Sequence, residues 1–173
     1  MVRPGDLVVS LRDVDLDDLH FVGEKAANIK DGFAITARAY FKFLSENNLE
    51  AKIRNLIGSI NFDRDESLNQ IAMHVKNLII KSKIPNSITY RVVGHYADLG
   101  ASKVAAHMSI ISGDPSHRAS ARDVVWEADG EAVLLDNVRS LWAHLFDPAF
   151  IVYRNLKNLD HLRTGVAVIV EKI

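Results

Sequence analysis

The sequence contains no cysteine, which excludes both a disulfide scaffold and a metal site built on thiolates. Its longest apolar runs are far shorter than the roughly 20 residues that cross a bilayer. The N-terminal stretch MVRPGDLVVSLRDVD has no apolar core followed by a small-residue cleavage site, so we predict no signal peptide. The expectation from these absences is a soluble, cytoplasmic protein that does not bind a membrane.

An excess of charge of one sign is also missing. The chain has 21 Lys and Arg against 22 Asp and Glu, and its formal net charge is −1. No basic surplus points to nucleic acid, and no acidic tail points to a solvating role. Glycine and proline are few, at 9 and 4, and no linker rich in either divides the sequence. We therefore predict a single domain over residues 1–173.

Common catalytic and metal-binding motifs are absent too. The sequence has no phosphate-cradling P-loop, no dinucleotide glycine motif, no G-x-S-x-G and no H-E-x-x-H. An acidic run at Asp13, Asp15, Asp17 and Asp18 lacks the glycine and terminal glutamate of a calcium-binding EF-hand loop, so we interpret it as a solvated turn. We expect no catalytic residue and no metal-ligand set in this chain.

The residues that are present follow helical and strand patterns. Apolar periodicity predicts strands over 7–10, 33–36, 103–110, 121–127 and 165–171, and helices over 23–30, 37–47, 49–58, 66–82, 85–99 and 130–146, with another helix starting at Asp147-Pro148. Thr36 and Asp65 are predicted N-caps, and residues 111–120 a loop. Helices and strands mix without a strict βαβ alternation, so the sequence favours α+β or an irregular α/β fold.

Several short motifs occur in a defined order along nearly the whole chain. Residues 22–29 read VGEKAANI, and residues 32–36 read GFAIT, followed by Ala39-Tyr40. Near the C-terminus, residues 142–146 read WAHLF, then comes Tyr153-Arg154, and residues 166–173 read VAVIVEKI. This ordered set resembles the N-terminal nucleotide-binding domain of phosphoenolpyruvate synthases, pyruvate phosphate dikinases and rifampicin phosphotransferases.

The resemblance implies the front half of an ATP-grasp-like domain of class α+β, with a mixed sheet and packed helices. Such enzymes bind Mg-ATP between two subdomains and transfer a phosphoryl group to a histidine carried elsewhere. The reaction depends on positioning and on neutralising phosphate charge. The implied ligand is therefore a nucleotide, with ATP and Mg²⁺ as cofactors.

Two residues match phosphate-binding positions of that family. Lys25 aligns with a lysine that contacts nucleotide phosphate, a role that suits an ammonium as a point charge. The alternative is an ordinary solvated lysine. His107 takes the place of an arginine that grips phosphate, but a neutral imidazole lacks the planar fork. The alternative is a strand histidine satisfied by a backbone partner. Arg154 is expected to form an ion pair or a helix surface contact.

The loop 112–122 matches a family segment in which a glycine lets the backbone approach the nucleotide. Here Ser120 or Ala121 occupies that place. Arg118 and Arg122 are candidate replacement cations for phosphate, and the alternative is a solvated basic loop.

The family pattern is incomplete in this chain. A lead-in between residues 29 and 32 is shorter, and the second half of the ATP-grasp domain, which holds magnesium and adenosine, does not follow Ile173. We therefore expect an ATP-binding module related to pyruvate, water dikinase (phosphoenolpyruvate synthase) that is not a complete enzyme alone. A missing second ATP-grasp half or self-association would cover its exposed apolar face. The alternatives are a non-catalytic scaffold or interaction protein that kept the fold, and an unrelated α+β domain.

Overall fold

The central feature of the computed structural model, which describes residues 1–120 and 124–173, is a five-stranded sheet in the order β1-β2-β5-β3-β4. The strands are β1 (Val8–Ser10), β2 (Gly32–Ile35), β3 (Lys103–Ile111), β4 (Val125–Asp129) and β5 (Gly165–Lys172). The α+β class is confirmed. The mixed sheet is corrected, because each described pairing is antiparallel. β2 and β3 run in the same direction, but β5 inserts between them and pairs antiparallel with both.

The helices follow the predicted pattern closely. They are α1 (Leu19–Val22), α2 (Ala37–Glu46), α3 (Leu49–Gly58), α4 (Asp65–Lys81), α5 (Asn86–Leu99), α6 (Pro115–Ala119), α7 (Glu131–His144) and α8 (Pro148–Leu156). Short 3-10 turns occupy residues 11–13, 16–18 and 24–28. Over the described part of the chain, no helix combines the length and apolar character needed to cross a membrane.

Three local predictions need correction. The helix expected over 23–30 is a 3-10 turn at 24–28. The loop expected over 111–120 contains α6, because Asp114 caps it and Pro115 fits its first turn. The strand expected over 121–127 is β4, which begins at Val125, while positions 121–123 lie outside the described residues.

The two predicted caps also differ in detail. Thr36 occupies the N-cap position of α2, but its hydroxyl donates to the carbonyl oxygen of Asp6 at 2.7 Å. The side chain thus ties the segment before β1 to the start of α2. α4 begins one residue earlier than predicted, so Asp65 lies in its first turn and Arg64 is the N-cap.

One face of the sheet carries most of the hydrophobic core. Apolar side chains of α2 to α5, α7 and α8 pack there against alternate residues of the strands. At the centre of this layer, the fully buried Trp142 ring lies 4.7 Å from the Phe43 ring and 6.1 Å from the Tyr40 ring, centroid to centroid. Burying rings of this size contributes a large share of the apolar stabilisation.

The opposite face of the sheet is partly covered by an N-terminal segment that includes residues 22–28. A separate apolar cluster joins Val22 and Ala26 of this segment to Ala34 of β2 and Ile169 of β5. Because these residues are buried, residues 22–28 are held against the sheet close to β3. This placement positions the residues that carry the candidate site.

The two tryptophans allow the core to be tested by a matched pair. Trp142 is 0% exposed, whereas Trp126 on the edge strand β4 is 38% exposed. We expect Trp142→Ala to lower the free energy of unfolding by about 3–5 kcal/mol, and Trp126→Ala by roughly 1 kcal/mol or less. Urea denaturation monitored by circular dichroism measures both. Equal losses in the two variants would contradict the described core.

Candidate functional site

A glycine turn brings the motif of residues 22–29 into direct contact with β3. Gly23 has φ +86°, a conformation that side chains with a Cβ rarely adopt. A Cβ at this position would lie 1.8 Å from Ser109 Oγ. The Gly23 amide donates to the carbonyl oxygen of Leu19 at 2.6 Å, which closes α1. The turn therefore delivers Glu24 and Lys25 to the surface of β3.

A small hollow lies where this turn meets α6. Lys25 and Arg118 line it together with Glu24 and Ser109, and its volume is about 130 Å³. The structure thus brings together two of the residues predicted from the sequence, Lys25 and Arg118. Lys25 and α6, which follows β3 in the chain, therefore border the same hollow.

A large hollow of about 540 Å³ lies beside the small one. His20, Ile111 and Arg163 contribute to its lining. Glu24 and Arg118 line both hollows, so this pair borders the two spaces. Cationic side chains are therefore present in both.

Arg118 is held by two acceptors. Its Nη1 donates to the carbonyl oxygen of Ser112 at 2.8 Å, and its Nε lies 3.3 Å from Glu24 Oε1. Sequence reasoning missed Glu24 as a site residue. The available signal was the carboxylate directly before Lys25 in the run VGEKAANI.

Of the other two predicted site residues, only His107 is described by the structure. His107 lines neither hollow among the described residues. Its Nε2 lies 2.9 Å from Glu171 Oε2 on β5, so its partner is a side chain and not the expected backbone group. Arg122 lies outside the described residues.

Hydrogen bonds fasten α6 to α8. Asp114 Oδ1 accepts from the backbone amide of Ser116 at 2.8 Å, and Asp114 Oδ2 accepts from the Tyr153 hydroxyl at 2.7 Å. The Tyr153 hydrogen bond lowers the pKa of Asp114 below its ordinary value. The His117 ring stacks on the Tyr153 ring with centroids 5.1 Å apart. These contacts fix the helix that presents Arg118.

The buried Arg154 on α8 also holds α6 in place through its contact with His117. The expected surface contact is wrong because the residue is 0% exposed, and in place of the expected ion pair its described partners are a carbonyl oxygen and two histidines. Its Nη2 donates to the carbonyl oxygen of Leu145 at 2.6 Å, and its Nε donates to His161 Nδ1 at 2.9 Å. Its Nη1 lies 3.3 Å from His117 Nε2. The aromatic ring of Phe146 faces the guanidinium at 5.4 Å.

This arrangement requires neutral histidines. Burial, reinforced by the positive charge of Arg154, lowers the pKa of His117 to about 4 and that of His161 to about 4. Burial also lowers the pKa of Arg154 to about 10, which leaves the guanidinium charged at neutral pH. Each neutral imidazole can then accept a hydrogen bond from the cation.

The described residues offer no preformed metal site. No group of three or more His, Cys, Asp or Glu within 1–120 and 124–173 is arranged to hold a metal ion. In the acidic run, Asp18 Oδ2 accepts from the backbone amide of Asp15 at 2.9 Å.

The fold and the hollows define a class: an α+β domain with a cation-lined recess at the end of a central strand, suited to an anionic ligand. The chain belongs to the pyruvate phosphate dikinase AMP/ATP-binding domain family, whose model matches residues 13–173. It is therefore an ATP-binding module of this family.

Related proteins agree with this assignment. The chain is 25% identical to a probable phosphoenolpyruvate synthase of Methanothermobacter thermautotrophicus, over 98% of this chain and 28% of that protein. It is 28% identical to the phosphoenolpyruvate synthase of Aquifex aeolicus, over 96% of this chain and 22% of that protein. A rifampicin phosphotransferase of Bacillus cereus is 19% identical to the chain, over 96% of this chain and 21% of that protein. The chain thus spans about a quarter of the length of these relatives.

The contact at Gly23 yields a stability prediction. Gly23→Ala should lower the free energy of unfolding by about 2 kcal/mol or more, because it adds left-handed strain and a clash with Ser109. Gly94→Ala is the matched control. Gly94 lies inside α5, and no atom lies within 4 Å of the place that an added methyl group would take, so the change should stabilise the helix by about 0.5–1 kcal/mol. Chemical denaturation compares them, and a neutral Gly23→Ala would refute the close contact.

The neutral histidines predict a dependence of stability on pH. Because their folded-state pKa values, about 4, lie below the ordinary 6.5, the unfolded chain takes up protons that the folded chain excludes. Stability should be full above pH 6.5 and should fall as the pH drops toward 4. Between pH 7 and 5 we expect a loss on the order of 2 kcal/mol for each of the two histidines.

Denaturation midpoints at pH 7 and 5 measure this loss. The double variant His117→Gln/His161→Gln keeps an acceptor for Arg154 without titrating in this range, so its loss should be much smaller. His20→Gln, at the rim of the large hollow, serves as the control and should behave as the wild type. An unchanged pH dependence in the double variant would contradict the assignment.

Proposed function

We propose that this chain binds the phosphates of ATP at the small hollow, with Lys25 and Arg118 as the cations. The observation that carries the proposal is that these two residues, from separate elements, line one hollow against β3. Membership of the AMP/ATP-binding domain family is the reason to expect a nucleotide as the ligand. The anchoring of α6 by Tyr153 and Arg154 supports a preorganised position for Arg118.

The chemistry of the two side chains fits the ligand. Phosphate groups need cations in fixed positions, because solvent that would screen their charge is displaced on binding. Lys25 supplies a compact point charge and Arg118 a planar set of donors. For His107 we propose a structural role, because its hydrogen bond to Glu171 links β3 to β5.

Catalysis is proposed only for a complete enzyme. The chain spans 28% of the Methanothermobacter relative and 22% of the Aquifex relative, and we propose that phosphoryl transfer from ATP needs a second ATP-grasp half, in the same or another chain. That half would supply carboxylates for Mg²⁺. With residues 1–120 and 124–173 alone, the Mg²⁺ that accompanies ATP would be held by phosphate oxygens and water.

A second candidate function is a non-catalytic interaction protein that kept this fold. One observation favours it: two positions expected to meet phosphate already face carboxylates. Arg118 lies 3.3 Å from Glu24, and His107 lies 2.9 Å from Glu171. Measurable binding of ATP would exclude this alternative as the full description.

Calorimetric titration with Mg-ATP tests the proposal. We expect the wild type to bind and Lys25→Ala to bind about 10-fold or more weakly, the usual loss for one charged contact to phosphate. Lys52→Ala, at an exposed position on α3, should leave affinity unchanged. Thermal denaturation of each variant establishes that it is folded.

Two results would overturn the proposal. One is the absence of binding heat for the folded wild type. The other is equal affinity in the wild type and Lys25→Ala, which would remove Lys25 from the site.

A further inference from the structure

Glu24 faces the cation that the proposed function assigns to phosphate. We infer that the Glu24 carboxylate takes the place of a phosphate on Arg118, so that ATP must displace it and position 24 sets the selectivity for ligand charge. This inference rests on the proposed function. In this inference Glu24 opposes ATP binding, whereas Lys25 and Arg118 promote it.

The geometry places the two groups in competition for one guanidinium. Arg118 Nε lies 3.3 Å from Glu24 Oε1, and its Nη1 is engaged by the carbonyl oxygen of Ser112 at 2.8 Å. Both Glu24 and Arg118 line the small and the large hollow. An anion that enters either hollow therefore meets a guanidinium that already has an anionic partner.

The ion pair between Glu24 and Arg118 is exposed enough for a phosphate to replace the carboxylate. The Glu24 side chain is 63% exposed and the Arg118 side chain 31% exposed. Exposed ion pairs contribute little to stability because water solvates both partners well. The carboxylate can therefore rotate into solvent, whereas Arg118 stays in place through Ser112 and through the attachment of α6 to α8.

Charge determines the cost of displacement. After a phosphate replaces it, the Glu24 carboxylate remains beside the ligand, since Lys25 follows it directly in the same turn. Repulsion between like charges grows with the charge of the ligand. Metal-free ATP, with about twice the charge of AMP, should therefore be penalised more than AMP.

The comparison of Glu24→Gln with a matched control measures this penalty. Gln removes the charge and keeps the shape. Glu46→Gln makes the same change at a 48% exposed glutamate that pairs with Lys42 at 2.8 Å on α2. By calorimetry in metal-free buffer, Glu24→Gln should bind ATP about three- to ten-fold more tightly, with a smaller gain for AMP. Glu46→Gln should match the wild type.

A double-mutant cycle assigns the gain to Arg118. In the Arg118→Gln background, Glu24→Gln should lose the part of its gain that comes from freeing the guanidinium and keep only the part that comes from reduced repulsion of the ligand. A full gain there, or ATP binding that is indifferent to position 24 while the wild type binds, would overturn this inference alone. A lack of ATP binding by every variant would overturn it together with the proposed function.

Discussion

The close contact between the Gly23 backbone and Ser109 determines where the site can form. It requires both a left-handed conformation and the absence of a side chain at position 23. Burial of Val22 and Ala26 on either side holds the turn against the sheet. Because the turn cannot move away from β3 without exposing these side chains, Lys25 is presented at a fixed place beside the strand.

The position of Arg118 depends on a second cation, the buried Arg154, which pairs with no carboxylate among residues 1–120 and 124–173. Arg154 is satisfied by a backbone carbonyl and two neutral imidazoles, and its charge is spread over these acceptors and the Phe146 ring. Removing water from a guanidinium is costly unless its donors are paired. The same contacts that satisfy Arg154 also hold His117, and with it the helix that presents Arg118. Arg154 therefore links the hydrogen bonding of the buried core to the position of Arg118 in the site.

Much of the fold was predictable from apolar periodicity. The long helices α4 and α7 have strong helical patterns, β3 is mostly apolar and β5 has a continuous apolar run, so their boundaries agree with prediction within a few residues. Strand order was not predictable, because β5 is the last strand in sequence yet lies between β2 and β3. Lys25 and Arg118 could be proposed by resemblance, but their shared hollow could not. The burial of Arg154 and the pairing of Glu24 depend on tertiary contacts between distant segments, which a single sequence does not show.

The central claim is that Lys25 and Arg118 form one phosphate-binding wall. A crystal structure of the protein soaked with a non-hydrolysable ATP analogue tests it most directly. The account predicts phosphate oxygens within about 3 Å of Lys25 Nζ and of the Arg118 guanidinium, with the Glu24 carboxylate turned away. Phosphates bound elsewhere, with the Glu24–Arg118 pair intact, would contradict it.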